Sequence, residues 1–210
     1  MKKILSCILT LALVLFLMPT ALAAGTQTEV RSANIHLNDY GTSSGPIKSY
    51  LYKNGSGLTR VEMNDVFISG ELDCVVIEDY DSSFQLLNQR MIEPELPRWG
   101  GFFAGEKYNF LIFGQTNEEE DDNKEVIRVV KYDKEWNRLD HVSIRGADTT
   151  VPFTGGSLRC DEYEGYLYIH TAHEKYAIGG LNHQGNLTFV VRQSDMTISD
   201  ASWDMSTYYP

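Results

Sequence analysis

The sequence predicts an all-β fold: tandem four-stranded antiparallel units of about 55 residues, roughly three of them. Three observations predict it. A strand-and-turn pattern recurs at offsets of 52 and 55 residues. Twelve Tyr and nine Phe stand against only six Pro, a composition that favours strands. Short apolar runs alternate with Gly, Asn and Asp turn signals, and no long helical period interrupts them.

The first segment is read as an address. Lys2 and Lys3 precede an apolar run from Ile4 to Met18, and Ala21-Leu22-Ala23 forms a small-x-small cleavage site. These are the parts of a secretory signal, expected over residues 1–23. The run is short for a membrane span, and no later segment is apolar enough to be one. The expectation is a secreted, extracellular bacterial protein with no membrane span after signal cleavage. Cys7 precedes the apolar run, so lipidation is not expected. Without Lys2 and Lys3 the chain keeps 16 basic and 29 acidic residues, a net charge of −13. That balance argues against a nucleic-acid partner, whose phosphates demand a basic surface. Residues 24–45, rich in Thr, Ser, Asn and Gly, are read as a flexible leader.

The first unit, about 46–96, is read as the strands KSYLYKN, LTRVEM, ELDCVVIEDY and FQLLNQRMI, with Asn54-Gly55 as its first turn. The second, about 97–151, repeats it. VVIEDYDSSFQLLNQRMI (75–92) lies on IRVVKYDKEWNRLDHVSI (127–144), with Tyr80-Asp81 on Tyr132-Asp133 and Phe84 on Trp136. Asp and its polar neighbours make the hairpin turn, and the aromatic opens the return strand. The third, about 152–209, begins with Pro152-Phe-Thr-Gly-Gly156, the counterpart of Pro97-Arg-Trp-Gly-Gly101. Its later strands are GYLYIHTA (165–172) and NLTFVVRQ (186–193), with Gln184-Gly185 as the turn between them and a weaker hairpin, SDMTI.

A four-stranded unit of this length in tandem resembles a blade of a β-propeller, of the kelch or a related kind. The chain also resembles uncharacterised secreted propeller proteins of Gram-positive gut bacteria, through GLNHQGNLTFVV (180–191) and the Tyr-Asp hairpins. That resemblance implies no activity. Closed propellers have four to eight blades, so the 46–210 domain is expected to continue beyond the chain end in an incomplete ring. Closure by oligomerisation and a single β-sandwich stay open as alternatives.

The repeat places Cys74 and Cys160 in the first and third units, on different strands, too far apart for a disulfide. Two separate thiols are expected. The densest group of functional side chains is His170, His173, Glu174, Lys175 and Tyr176, with His183 in the next turn. Three imidazoles and a carboxylate suit zinc. Odd spacing on a strand, however, puts His170 and His173 on opposite faces, so no metal and no cofactor are expected. Loops carry function on a rigid scaffold, so His170, His173, Glu174, Tyr176 and His183 form the first candidate binding site. Trp99 beside Arg98, an aromatic without a counterpart in the third unit, is the second. Trp136, at a repeated position, is read as packing between units. The acidic run Glu118–Asp122 is read as a solvated loop.

No nucleophile elbow, phosphate loop or dinucleotide fingerprint is present, and nothing singles out a carboxylate pair for glycoside hydrolysis. The expected function is extracellular binding of a glycan or a cell-surface protein. The competing readings are a polysaccharide hydrolase or lyase with its site in the funnel, and a structural presentation domain.

Overall fold

The computed structural model describes residues 46–65, 72–154 and 158–204. The signal over 1–23 and the leader over 24–45 lie outside the described residues. Among the described residues thirteen strands follow one another: β1 (Ser49–Asn54), β2 (Gly57–Asp65), β3 (Leu72–Tyr80), β4 (Leu86–Ile92), β5 (Arg98–Ala104), β6 (Asn109–Gly114), β7 (Glu125–Tyr132), β8 (Arg138–Arg145), β9 (Thr149–Pro152), β10 (Arg159–Tyr163), β11 (Tyr166–Lys175), β12 (Gln184–Arg192) and β13 (Thr197–Asp204). They form three antiparallel sheets, in the orders β1-β2-β3-β4, β5-β6-β7-β8 and β10-β11-β12-β13, with β9 added to β11. These are three propeller-like blades, and among the described residues no sheet closes into a barrel.

Side-chain alternation decides how the blades lie. β6, NFLIFG, is buried at every position. Its even residues Phe110 and Ile112 join Ile127, Val129, Leu167, Ile169, Leu187 and Phe189 in one core. Its odd residues Leu111 and Phe113 join Val61, Val75, Ile77 and Val130 in the other. The middle sheet is therefore covered on both faces, and its strand reads as a continuous apolar run. β11, YLYIHTAHEK, alternates instead: Leu167, Ile169, Thr171 and His173 are buried, while Tyr168 and His170 are exposed. One face of the third sheet packs and the other meets solvent. On the outward face of the first sheet, Arg60 bridges the buried Glu62 at 2.7 Å and Glu78 at 2.5 Å.

The two glycines of Pro-Arg-Trp-Gly-Gly have a steric reason. A Cβ on Gly100 would lie 2.5 Å from the Phe153 ring. A Cβ on Gly101, at φ +154°, would lie 2.7 Å from the Tyr50 hydroxyl. A bulge at this point of β5 turns the two residues to different neighbours. Phe153 also fills the notch at Gly114, where a Cβ would lie 2.6 Å from its ring.

The Tyr-Asp hairpins share one geometry. Asp81 takes backbone N–H groups from Ser83 and Gln85 on its carboxylate, at 2.8 and 2.9 Å. Asp133 takes the Asn137 N–H at 2.7 Å. The aromatic does not open the return strand. Phe84 (φ 60°) and Trp136 (φ 68°) sit inside the turn in the left-handed region, and β4 and β8 start two residues later. Other sequence expectations shift as well. The first turn is Gly55-Ser56 rather than Asn54-Gly55, because Gly55 supplies the positive φ of 58° while Asn54 still pairs with Gly57. Gln184 and Gly185 are strand residues, paired with Glu174 and His173. β9 is a fifth strand in the third sheet, paired with the far end of β11. Cys74 and Cys160 are separate thiols, not joined in a disulfide, as the repeat requires.

Candidate functional site

The strands run so that tight turns gather at one end and long loops at the other. Gly55-Ser56, the two Tyr-Asp turns and Glu164-Gly165 lie at the first end. The loops 115–124, 146–148 and 176–183 lie at the second. Most of the residues singled out in the sequence are at the long-loop end, where Lys175 and Tyr176 join a lock between the second and third sheets. Asn117, fully buried, donates from Nδ2 to the Tyr176 hydroxyl at 3.0 Å, and its backbone N–H reaches the Thr150 carbonyl at 2.7 Å. Lys175 pairs with Asp148 at 2.7 Å. The Glu120 carboxylate accepts the Ala177 N–H at 2.6 Å. The acidic loop is therefore not wholly solvated: Glu118, Glu119, Asp121 and Asp122 face water, while Asn117 and Glu120 pin it to the third sheet.

His173 is fully buried, with Nδ1 2.7 Å from the Thr149 hydroxyl, which also donates to the Ala147 carbonyl. Its Nε2 has no hydrogen-bond partner among the described residues. Burial, with Lys175 nearby, lowers its pKa to about 4 against the opposing pull of Asp148. The ring is neutral at pH 7. Arg98 is half-buried; burial weakens its hold on the proton, and the charge of Glu174 opposes that. Burial raises the Tyr176 phenol, with Asp122 acting the same way.

His170 is on the opposite face of β11, exposed, with Nδ1 2.8 Å from the Thr188 hydroxyl. His183 is an exposed loop residue whose carbonyl accepts the Lys175 N–H at 2.8 Å. The three histidines do not converge. Among the described residues no group of His, Cys, Asp and Glu is arranged to hold a metal ion. Trp99 is not an exposed platform. It is 5% exposed, donates from Nε1 to the Ile47 carbonyl at 2.8 Å and meets Tyr50 and Phe113 edge-on. It belongs to the core between the first and second sheets.

The structure shows a concavity the sequence reading missed. The first strands of the three sheets meet around a groove of about 250 Å³, lined by Tyr50, Tyr52, Phe102, Phe103, Arg159 and Cys160 among others. β1, β5 and β10 each supply part of it. Tyr52 and Phe103 are half-buried, and Arg159 is exposed. Tyr50 meets Phe102 edge-on at 5.6 Å. Its hydroxyl is buried and makes no hydrogen bond among the described residues. Burial pushes the Tyr50 phenol up to about 12, with the Phe102 amide acting against it. Burial also raises the Cys160 thiol. The groove thus combines aromatic rings with one exposed guanidinium. Aromatic residues at the first strand of successive units (Tyr50 and Tyr52, then Phe102 and Phe103) were the available signal.

No family model matches the chain, and no curated protein matches it in sequence. Among solved structures, the crystal structure of an ACO/RPE65 chimera in a trigonal crystal form is similar to 77% of this chain, with a TM-score of 0.47 and 7% identity. The chain spans 38% of that protein's length. The likeness is remote, and the site is argued from the chain's own residues.

Proposed function

We propose that the protein is a secreted glycan-binding protein whose site is the groove where β1, β5 and β10 meet. The observation that carries this reading is the lining. Half-buried Tyr52 and Phe103 supply aromatic rings on which pyranose C–H groups can stack, while the exposed Arg159 offers donors for sugar hydroxyls. Secretion rests on the signal-like N-terminus, read from sequence.

Binding is favoured over hydrolysis by the charges. A glycosidase keeps one carboxyl protonated by raising its pKa. Burial pushes Glu95 and Glu125 up, but hydrogen bonds and charge from Arg138 and Arg128 on Glu95, and from Arg128 and Ser143 on Glu125, bring both below the usual range. Neither can serve as a general acid near neutral pH. The groove itself is lined by Tyr, Phe, Leu, Ile, Ala, Arg and Cys, with no carboxylate among its described residues.

The test is calorimetric titration of the full chain with cellobiose, xylobiose and chitobiose, with a reducing-end assay beside it. The reading expects one of these to bind without release of reducing ends, and Tyr52→Ala to weaken it about 10-fold, equivalent to about 1.4 kcal/mol. Cleavage would make the protein an enzyme. Failure of all three sugars to bind, with capture of a cell-surface protein instead, would replace the glycan by a protein partner.

A further inference from the structure

We infer that the outward face of the third sheet continues the groove as a platform for further rings of an extended, neutral glycan. The inference rests on the groove reading above and adds the length and charge class of the ligand.

The register sets out the face in rows. Tyr163 pairs with Tyr166, Asp161 with Tyr168, and Arg159 with His170. On the other side of β11, Tyr168 pairs with Val190 and His170 with Thr188. Tyr163 is 66% exposed and Tyr168 40%. Directly paired residues lie roughly 5 Å apart, and residues two apart on a strand about 7 Å. Three phenol rings are therefore grouped on one side of a sheet, each a rigid ring with a hydroxyl at its edge.

Arg159 connects this group to the groove. It lines the groove and stands in the same row as His170 on the outward face. From that row to the Tyr163–Tyr166 row is four residues of β11, about 13 Å, longer than one sugar ring. A ligand seated in the groove and extended past Arg159 meets Tyr168 and then Tyr163.

The face is more polar than the faces that the middle sheet buries. The covered faces of the middle sheet carry mostly Phe, Leu, Ile and Val, with Trp99, Tyr132 and Lys131 among them. The outward face of the third sheet instead carries Tyr, His, Thr, Arg and Asp, with Val190 beside Tyr168. Its charge chemistry selects a neutral chain. Arg159 is offset by Asp161 on the same strand, and Arg192 is paired with Asp195 at 3.0 Å. The whole chain, at −11, repels a polyanion.

The experiment titrates the wild-type full chain, Tyr163→Ala/Tyr168→Ala and Tyr52→Ala with cellobiose, cellohexaose, xylobiose, xylohexaose, chitobiose, chitohexaose and hexagalacturonate. Tyr163→Phe/Tyr168→Phe keeps the rings and controls for folding. One neutral hexaose is expected to bind at least about 10-fold tighter than its disaccharide. The double alanine variant is expected to reduce the hexaose to the disaccharide level and leave the disaccharide unchanged, with the Phe pair retaining the gain. Equal affinity for hexaose and disaccharide in the wild type overturns the inference. So does a length gain that survives in the double alanine variant, or hexagalacturonate binding as tightly as the neutral chains. Failure of the groove reading has a different signature: Tyr52→Ala leaves the disaccharide affinity untouched.

Discussion

Trp136 and Phe84 occupy the same position of equivalent turns and should respond to truncation with very different losses. Both sit in the left-handed region, at φ 68° and 60°. Trp136 is 8% exposed, stacked on Phe102 at 5.6 Å and tilted against Tyr132 at 5.7 Å. Phe84 is 71% exposed. An aromatic side chain buries about 150–250 Å² when fully enclosed, so Trp136 removes about 200 Å² from water and Phe84 about 50 Å². At about 25 cal/mol/Å² these are upper estimates of about 5 and 1 kcal/mol. Buried Trp→Ala changes cost about 3–5 kcal/mol in practice. Trp136→Ala is therefore expected to cost about 3–4 kcal/mol and Phe84→Ala less than about 1 kcal/mol. For a chain of this size the gap is roughly 6–12 °C in Tm. Phe84→Gly should match or exceed the wild type, since glycine removes a left-handed strain of about 1 kcal/mol. Urea and thermal unfolding followed by circular dichroism measure all three. Equal losses for the two alanine variants would refute the assignment of Trp136 to the core between the first and second sheets.

The other predictions concern single contacts. Gly114→Ala drives a methyl into the Phe153 ring and is expected to cost about 1–3 kcal/mol as overpacking; a neutral result in urea unfolding contradicts the notch. His173 has a folded pKa of about 4, below an unfolded value near 6.5. Its depressed pKa makes stability complete above about pH 6.5 and lost as pH falls from there towards 4, by up to roughly 3 kcal/mol. His173→Gln should flatten that part of the pH–stability curve, and an unchanged slope would show that the ring is not held neutral. Tyr50→Phe removes a buried hydroxyl without a partner and is expected to stabilise the free protein by about 1 kcal/mol; a loss of that size in thermal melts would reveal a partner for the hydroxyl.

Local physics made much of the fold readable. The strands of each unit announce themselves by apolar runs between turn residues, and Asp81 and Asp133 mark their turns because a short carboxylate can accept the turn's own N–H groups. The two-residue period placed His170 and His173 on opposite faces. The long repeat kept Cys74 and Cys160 apart. What stayed hidden is non-local. Trp99 looked like a loop aromatic because its partner, the Ile47 carbonyl, is 52 residues away. β9 was invisible because it is a strand only through pairing with the far end of β11. Gln184-Gly185 looked like a turn, but pairing with β11 carries the strand through it. The Glu118–Asp122 run looked freely solvated because nothing local shows that Asn117 is buried beneath Tyr176. The groove takes residues from all three units, so no single stretch of sequence contains it.

The central claim is that the aromatic groove binds a glycan. Its most direct measurement is retention of the full-length chain and its Tyr52→Ala/Phe103→Ala variant on an array of immobilised neutral glycans. The account predicts that the wild type is retained on a related set of glycans and that the variant, folded by circular dichroism, is lost from all of them. Equal retention of the two proteins, or retention of neither, would contradict it.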